Sequence, residues 1–348
     1  MRSSALDSGG AIARSGLSRP LIAAAAAALL CVFVTMAWAG PAAASSQVSF
    51  VDARYGWYAG GLDAHARLWK TSDGGKTVKL LPASFLGAGG GGSWVHFIDR
   101  KVGIWWGSFG EVGVAGSSMQ RTTDGGAHWT KVTWPSLAVA TGLAFADAAH
   151  GWASSANNPS SPDEGGEIAT TSDGGATWST VRVLEGGYFN ELASPTQERC
   201  YALGVFGLGE TGDLQVTSDG GGSWTKRALP AGGYWSMAFP AQLTGWLAGA
   251  NGAIFKTING GETWARQSSG TREGLGPLEF VDSRYGWVVG GPGTILATRD
   301  GGAHWRRQSS GTTAVLSSID FTDRLHGWAG DTQVRLRTTD GGKTWKKL

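Results

Sequence analysis

From residue ~47 onward the apolar positions come in short runs. Each run ends on an aromatic, at Phe50, Phe97, Phe145, Phe239, Phe280 and Phe321, with Ser194 in the matching place of one run. A polar turn follows, led by Asp at Asp52, Asp99, Asp147, Asp282 and Asp323. Asp suits such a turn because its side chain can bond backbone two residues on. Seven residues after the Phe position stands Trp57, Ile104, Trp152, Tyr201, Trp246, Trp287 or Trp328. Strand, turn, strand reads as a hairpin. A second turn comes next, clearest at Ala250-Asn251-Gly252, where Asn-Gly is a strong hairpin signal. A third strand, Ala253 to Thr257, then enters a glycine-rich box, and a fourth follows with a Trp at its head. Four antiparallel strands of this length make one propeller blade.

The box is Thr257-Ile258-Asn259-Gly260-Gly261-Glu262-Thr263-Trp264, and it recurs through the chain, ending at Thr338 to Trp345. Its acid position is Asp73, Asp124, Asp173, Asp219, Asn259, Asp300 and Asp340, in steps of 51, 49, 46, 40, 41 and 40 residues. Seven copies at that period predict an all-β fold, a seven-bladed β-propeller of four-stranded antiparallel blades. The blades fall at about 47–81, 92–134, 140–183, 188–229, 234–267, 275–308 and 315–348. The box Asp should accept hydrogen bonds from backbone N–H groups of its own turn. The two Gly permit backbone angles that a Cβ would hinder. The box Trp should pack between blades, burying ~150–250 Å². Val78 stands where the first blade's Trp would be, so that blade should be the least firmly packed. Ring closure is expected from packing of the last blade on the first, with no strand shared between the termini.

The box resembles the Asp-box, or bacterial neuraminidase repeat, S/T-x-D-x-G-x-T-W. With the upstream Gly-Trp pair, the chain is most similar to the photosystem II stability/assembly factor family. That resemblance implies a seven-bladed propeller over residues ~47–348 and, in a photosynthetic host, a photosystem II subunit as partner. Sialidases, other glycosidases and sorting receptors share the box, so it specifies fold far better than function.

Composition agrees: 57 Gly and 18 Trp in 348 residues suit tight turns and large side chains packed between sheets. Arg2, Arg14 and Arg19 against Asp7 supply the whole formal charge of +2, leaving the rest balanced. A neutral body argues against nucleic acid as a partner. The N-terminus, residues 1–45, reads as a signal peptide: Arg14 and Arg19 precede an apolar run from Leu21 to Ala39, and Ala37-Trp38-Ala39 fits a cleavage site. An uncleaved run of residues 21–39 would be long enough to anchor the chain in a bilayer. The expected location is across the cytoplasmic membrane: secreted, periplasmic or at the cell surface. Cys200 is the only cysteine beyond the leader, so no intrachain disulfide is expected.

Chemistry is not evident in the pattern. The acids recur in every blade, whereas a catalytic residue needs one copy. The same register holds His128, His304, His150 and His326; only His65 and His96 break it. No metal spacing or cofactor motif is present. Asp163, Glu164 and Glu167 read as a solvated acidic loop. A glycosidase needs two carboxyls across one sugar. Glu111, Glu191, Glu210, Asp213 and Glu273 are off-register acids, but sequence cannot place any two together. The expectation is therefore a monomeric, non-enzymatic scaffold for a protein or peptide. The alternative is a sialidase-like or other glycoside hydrolase, or a carbohydrate-binding propeller.

Spacing locates the variable part. From the Trp position to the box acid the counts are 16, 20, 21, 18, 13, 13 and 12; from the box acid to the next Phe position they are 24, 21, 21, 20, 21 and 21. Length variation sits between the second and third strands of blades 1 to 4. Those connections and the links between blades share the face opposite the boxes, and variable loops on a rigid scaffold are where binding usually resides. The candidate binding face is Asp63, His65, Phe109, Glu111, Asp163, Glu164, Phe206 and Glu210, with the link aromatics Trp94, Tyr188, Phe189, Tyr234 and Trp235.

Overall fold

The computed structural model describes residues 47–60, 67–82, 93–109, 116–133, 139–156, 165–184, 187–206, 210–331 and 333–348. Their strands form seven four-stranded sheets. Blade 1 is β1 (Gln47–Phe50), β2 (Gly56–Gly60), β3 (Arg67–Thr71) and β4 (Lys79–Leu80); blade 2 is β5 (Ser93–Phe97), β6 (Gly103–Phe109), β7 (Gly116–Thr122) and β8 (Thr130–Val132). Blade 3 is β9 (Val139–Phe145), β10 (Gly151–Ala156), β11 (Gly166–Thr171) and β12 (Ser179–Leu184); blade 4 is β13 (Tyr188–Ala193), β14 (Cys200–Phe206), β15 (Glu210–Thr217) and β16 (Thr225–Arg227). Blade 5 is β17 (Tyr234–Ala238), β18 (Gly245–Gly249), β19 (Ile254–Thr257) and β20 (Ala265–Gln267); blade 6 is β21 (Leu275–Phe280), β22 (Gly286–Gly290), β23 (Thr294–Thr298) and β24 (Arg306–Ser309). Blade 7 is β25 (Ser318–Phe321), β26 (Gly327–Gly330), β27 (Arg335–Thr338) and β28 (Lys346–Lys347). Every sheet pairs in chain order, so each blade is an antiparallel meander. First strands meet the first strands of neighbouring blades, as β1 meets β5 and β25, while among the described residues the fourth strands make no comparable contact with one another. The first strands are therefore the inner ring and the fourth strands the circumference. Among the described residues the only helix is the short 3-10 turn Ala250–Gly252, where Asn251 and Gly252 both take positive φ, as an Asn-Gly hairpin turn requires.

The blades are joined by a repeated aromatic sandwich. The second-strand Trp of one blade stacks on the first-strand Phe of the next: Trp57 on Phe97 at 3.4 Å, Trp246 on Phe280 at 3.7 Å, Trp287 on Phe321 at 3.6 Å. Tyr201 does the same on Phe239 at 3.5 Å. The box Trp meets that Phe edge-on, as Trp305 meets Phe280 at 90°. Burial differs from expectation here. The Trp residues sealed completely are Trp57, Trp152, Trp246, Trp287 and Trp328 of the second strands. Among the box Trp residues only Trp178 and Trp305 are buried, and Trp129, Trp224, Trp264 and Trp345 are half-buried. The reason is position in the sheet: the second strand is flanked on both sides, whereas the box Trp leads into the outer edge strand.

A glycine precedes each of these Trp residues because the Phe of its own blade lies over it. Phe50 pairs with Gly56 and Phe280 with Gly286, and a Cβ on either glycine would come within 2.5 Å of that ring. Blade 4 confirms the cause by breaking both halves together. Ser194 replaces the Phe, and Cys200 then replaces the Gly and is fully buried. Burial pushes its thiol pKa up, as for an inert apolar filler.

Ring closure uses the same contacts. Trp328 stacks on Phe50 at 3.5 Å and its indole N–H donates to the Gly74 carbonyl at 3.0 Å, as Trp57 does to Gly125 at 3.1 Å. Blade 1 is built from β1 to β4 alone and blade 7 from β25 to β28 alone. Leu348 and Val78 pack together with Tyr58 and Phe50 where the first blade lacks its Trp.

Candidate functional site

Two faces and one inner seam hold the polar groups. On the first face lie the boxes. In each, a buried Thr donates to a side-chain oxygen two residues on, a carboxylate in six boxes and the Asn259 amide in the fifth, as Thr71 Oγ1 does to Asp73 Oδ1 at 2.9 Å. The same hydroxyl accepts the N–H of the second Gly, Gly75 N at 2.8 Å. The acid then accepts the N–H and the hydroxyl of the residue four on, at 2.9 and 2.6 Å for Thr77. In two boxes a His fills that last place, His128 Nδ1 lying 2.7 Å from Asp124 and His304 Nδ1 2.8 Å from Asp300. At Asn259 the amide NH₂ donates to Thr263 Oγ1 at 2.9 Å, so the bond survives with its direction reversed. The Thr77 hydroxyl and N–H hold the Asp73 carboxyl down at about 2, and Ser223 does the same for Asp219. These carboxylates are committed to their own turns. The Thr that opens each of the seven boxes is thus a structural residue, and its two-way bonding is not legible from the motif.

The first Gly of every box donates to the first turn of its own blade, as Gly74 N does to Arg54 O and Gly301 N to Arg284 O. First and third turns therefore share one face. The Asp-led turns fold as expected, Asp52 accepting from Arg54 N and Tyr55 N. Their second oxygens latch neighbouring blades: Arg100 donates to Asp52 and Arg324 to Asp282, both at 2.8 Å.

The inner seam was not anticipated. Side chains one or three residues before the Phe position reach forward to the next first strand. Ser49 Oγ accepts Phe97 N at 2.9 Å, Ser236 Oγ accepts Leu278 N at 3.1 Å and Glu279 accepts Phe321 N at 2.8 Å. Asp320 accepts Phe50 N and so closes the ring. Inner-edge N–H groups thus find acceptors where no further strand can pair. Enclosure pushes the Glu191 carboxyl up to about 8 and raises Asp320; Glu279 is raised by burial and then by the negative charge of Asp320. His96 packs parallel to Phe145 at 5.6 Å, and burial lowers it to about 4. Glu279 and Asp320 were legible only as polar residues interrupting apolar runs. Glu191 was in view as an off-register acid, without its partners. Among the described residues no group of three or more His, Cys, Asp or Glu is arranged to hold a metal.

The opposite face carries the second turns and the links, as the bonds Ala250 N to Gly233 O and Gly291 N to Gly274 O show. Two corrections arise there. Part of the extra length in blades 2 to 4 is strand, not loop: β6, β7, β14 and β15 run seven or eight residues, against four or five in blades 5 to 7. Phe109, Phe206 and Glu210 lie at those strand ends. Secondly, Tyr188, Phe189 and Tyr234 do not present their rings to solvent. They are 6, 0 and 2% exposed, packed among neighbouring blades. Apolar first strands bury their leading aromatics along with the rest. Trp94 and Trp235 are half-buried, and Trp94 lies against Trp106 at 6.2 Å. Asp63, His65, Glu111, Asp163 and Glu164 lie outside the described residues. Of the other off-register acids, Asp213 is buried in an ion pair with Lys226, and Glu273 is exposed on a link.

This architecture has known counterparts. Residues 233–309 and 271–348 match the model of the photosynthesis system II assembly factor YCF48 family. The last three blades of this propeller are YCF48-like. No curated protein matches the sequence. A solved structure described as YCF48 bound to D1 peptide is 21% identical, with a TM-score of 0.66 over 86% of this chain and 94% of that one. YCF48 from Cyanidioschyzon merolae is 18% identical, with a TM-score of 0.60 over 86% and 97%. A GH74 xyloglucanase from Xanthomonas campestris is 15% identical, with a TM-score of 0.56 over 87% of this chain and 60% of that one. At these identities the likenesses establish fold. The YCF48-like signature itself rests on the last three blades.

Proposed function

We propose that this protein is an exported, non-enzymatic scaffold that docks a protein or peptide on the face opposite the boxes, as a photosystem assembly factor would. The observation that carries this is the YCF48-like match together with a similar propeller solved with a peptide bound. The asymmetry of the propeller supports it, because among the described residues the second and third strands are longer in blades 2 to 4 than in blades 5 to 7. A photosystem II subunit is the specific partner this reading names. The glycosidase alternative gains no support from the described acids: Glu279 and Asp320 are neighbours in the seam, each accepting a backbone N–H, rather than a pair facing across a sugar.

The test is calorimetric titration of a D1-type peptide into the intact chain and into a variant whose blade 1–4 hairpins are cut to the short Gly249–Ala253 form. Binding by the first, with at least a tenfold loss in a folded variant, is expected; a tenfold loss is about 1.4 kcal/mol. Equal affinity in a folded variant would rule out the loop face, and no binding to either would rule out the partner. Export is checked by fractionating cells that express the chain, where a cytoplasmic product of full length would count against it.

A further inference from the structure

Among the described residues the fourth strands are seven unpaired edges, and six of them are protected in the same two ways. They are short, β4, β8, β16, β20, β24 and β28 running only two to four residues. They also carry exposed charge, at Lys79, Lys131, Lys226, Arg266, Arg306 and Lys346 among others. Shortness and edge Lys or Arg are how sheets avoid pairing with another chain. β12 has neither protection. It runs six residues, Ser179–Leu184. Its single charge, Arg182, is half-buried, with its guanidinium 5.6 Å from the centre of the Trp224 ring. Ser179, Thr180 and Val183 are exposed, and Val183 is 63% exposed.

We propose that β12 is a docking edge for an extended segment of a partner protein, which adds to blade 3 as a fifth strand. Alternate residues of an edge strand turn their N–H and C=O away from the sheet, and an incoming strand satisfies them. Val183 favours an apolar or β-branched residue opposite it. The outer strands together carry ten Lys or Arg and no Asp or Glu, so the segment that fits is acidic. One protective feature remains: the register to β11 slips at Val181, which limits the added strand to short runs on either side of that bulge. The edge lies on the circumference, so the inference stands whether or not the loop face binds.

The probes are three eight-residue peptides: one alternating valine and glutamate, one with lysine for glutamate, and one valine–glutamate peptide N-methylated at alternate residues. Amide hydrogen exchange is followed across residues 179–184. The valine–glutamate peptide is expected to slow exchange about fivefold or more, and the methylated peptide to leave it unchanged. Val183→Lys, a substitution at an exposed site, should abolish the protection while the melting temperature holds. Protection should persist in the short-hairpin variant, which separates this edge from the loop face. Unchanged exchange at β12, equal protection in Val183→Lys, or stronger protection by the lysine peptide would overturn the proposal. So would a wild-type dimer that Val183→Lys disperses, since the occupant would then be a second copy.

Discussion

Single hydroxyls and carboxyls decide more here than their size suggests. The box Thr is sealed in all seven blades and bonds in two directions, so Thr298→Val orphans Gly302 N and one bond to Asp300 together. A cost of about 1–3 kcal/mol is expected in a urea melt, with Thr298→Ser close to wild type. The carboxyls divide into two groups with opposite pH behaviour. The box acids are held below the ordinary carboxylate range, Asp73 at about 2, so its contribution is present above about pH 4 and lost as pH falls through about 2. Glu191 is raised to about 8, so its contribution is full below about pH 4 and lost as pH rises toward 8. Melting temperature should therefore peak at mildly acid pH and decline by pH 8.5. Glu191→Gln and Asp320→Asn keep an acceptor oxygen and remove the charge, and each should restore about 1–3 kcal/mol at pH 8.5 while changing little at pH 5. A flat profile in the wild type would show that the seam carboxyls are better solvated than their enclosure indicates.

At the scale of the strand pair, the first-strand Phe and the Gly opposite it behave as one unit. Ser194→Phe alone should destabilise, because the new ring meets the Cβ of Cys200. Cys200→Gly alone removes a sealed side chain. Together they recreate the arrangement of the other six blades, so a double-mutant cycle should show favourable coupling of at least about 1 kcal/mol. Additive losses would mean that blade 4 is shaped by something other than this pair. The hairpin polarity was legible for a similar local reason. Asp-led turns and the Asn-Gly turn close on their own backbone, so their geometry follows from a few adjacent residues. The inward lean of Tyr188, Phe189 and Tyr234 was not legible, because it depends on the neighbouring blade.

For the ring as a whole, closure is the sensitive point, and Trp328 tests it. It stacks on Phe50 much as Trp287 stacks on Phe321, so Trp328→Ala and Trp287→Ala should each cost about 3–5 kcal/mol. A clearly smaller cost for Trp328→Ala would show a looser final joint. The half-buried Trp129 should cost less than either. What the sequence determined by itself was whatever repeats: seven blades, four strands in each, the box turns and the face they share. A period repeated seven times averages away local ambiguity, and each unit is encoded by residues close in the chain. Tertiary structure alone decided which Trp is sealed, why Ser194 and Cys200 change together, and that Glu279 and Asp320 cap backbone across blade seams. These are relations between residues about forty or more positions apart, or between facing strands, and a linear pattern holds the partners without saying that they meet. The same holds for β12, whose exposure follows from being an outer edge and whose single charge turns inward onto a Trp of the next blade.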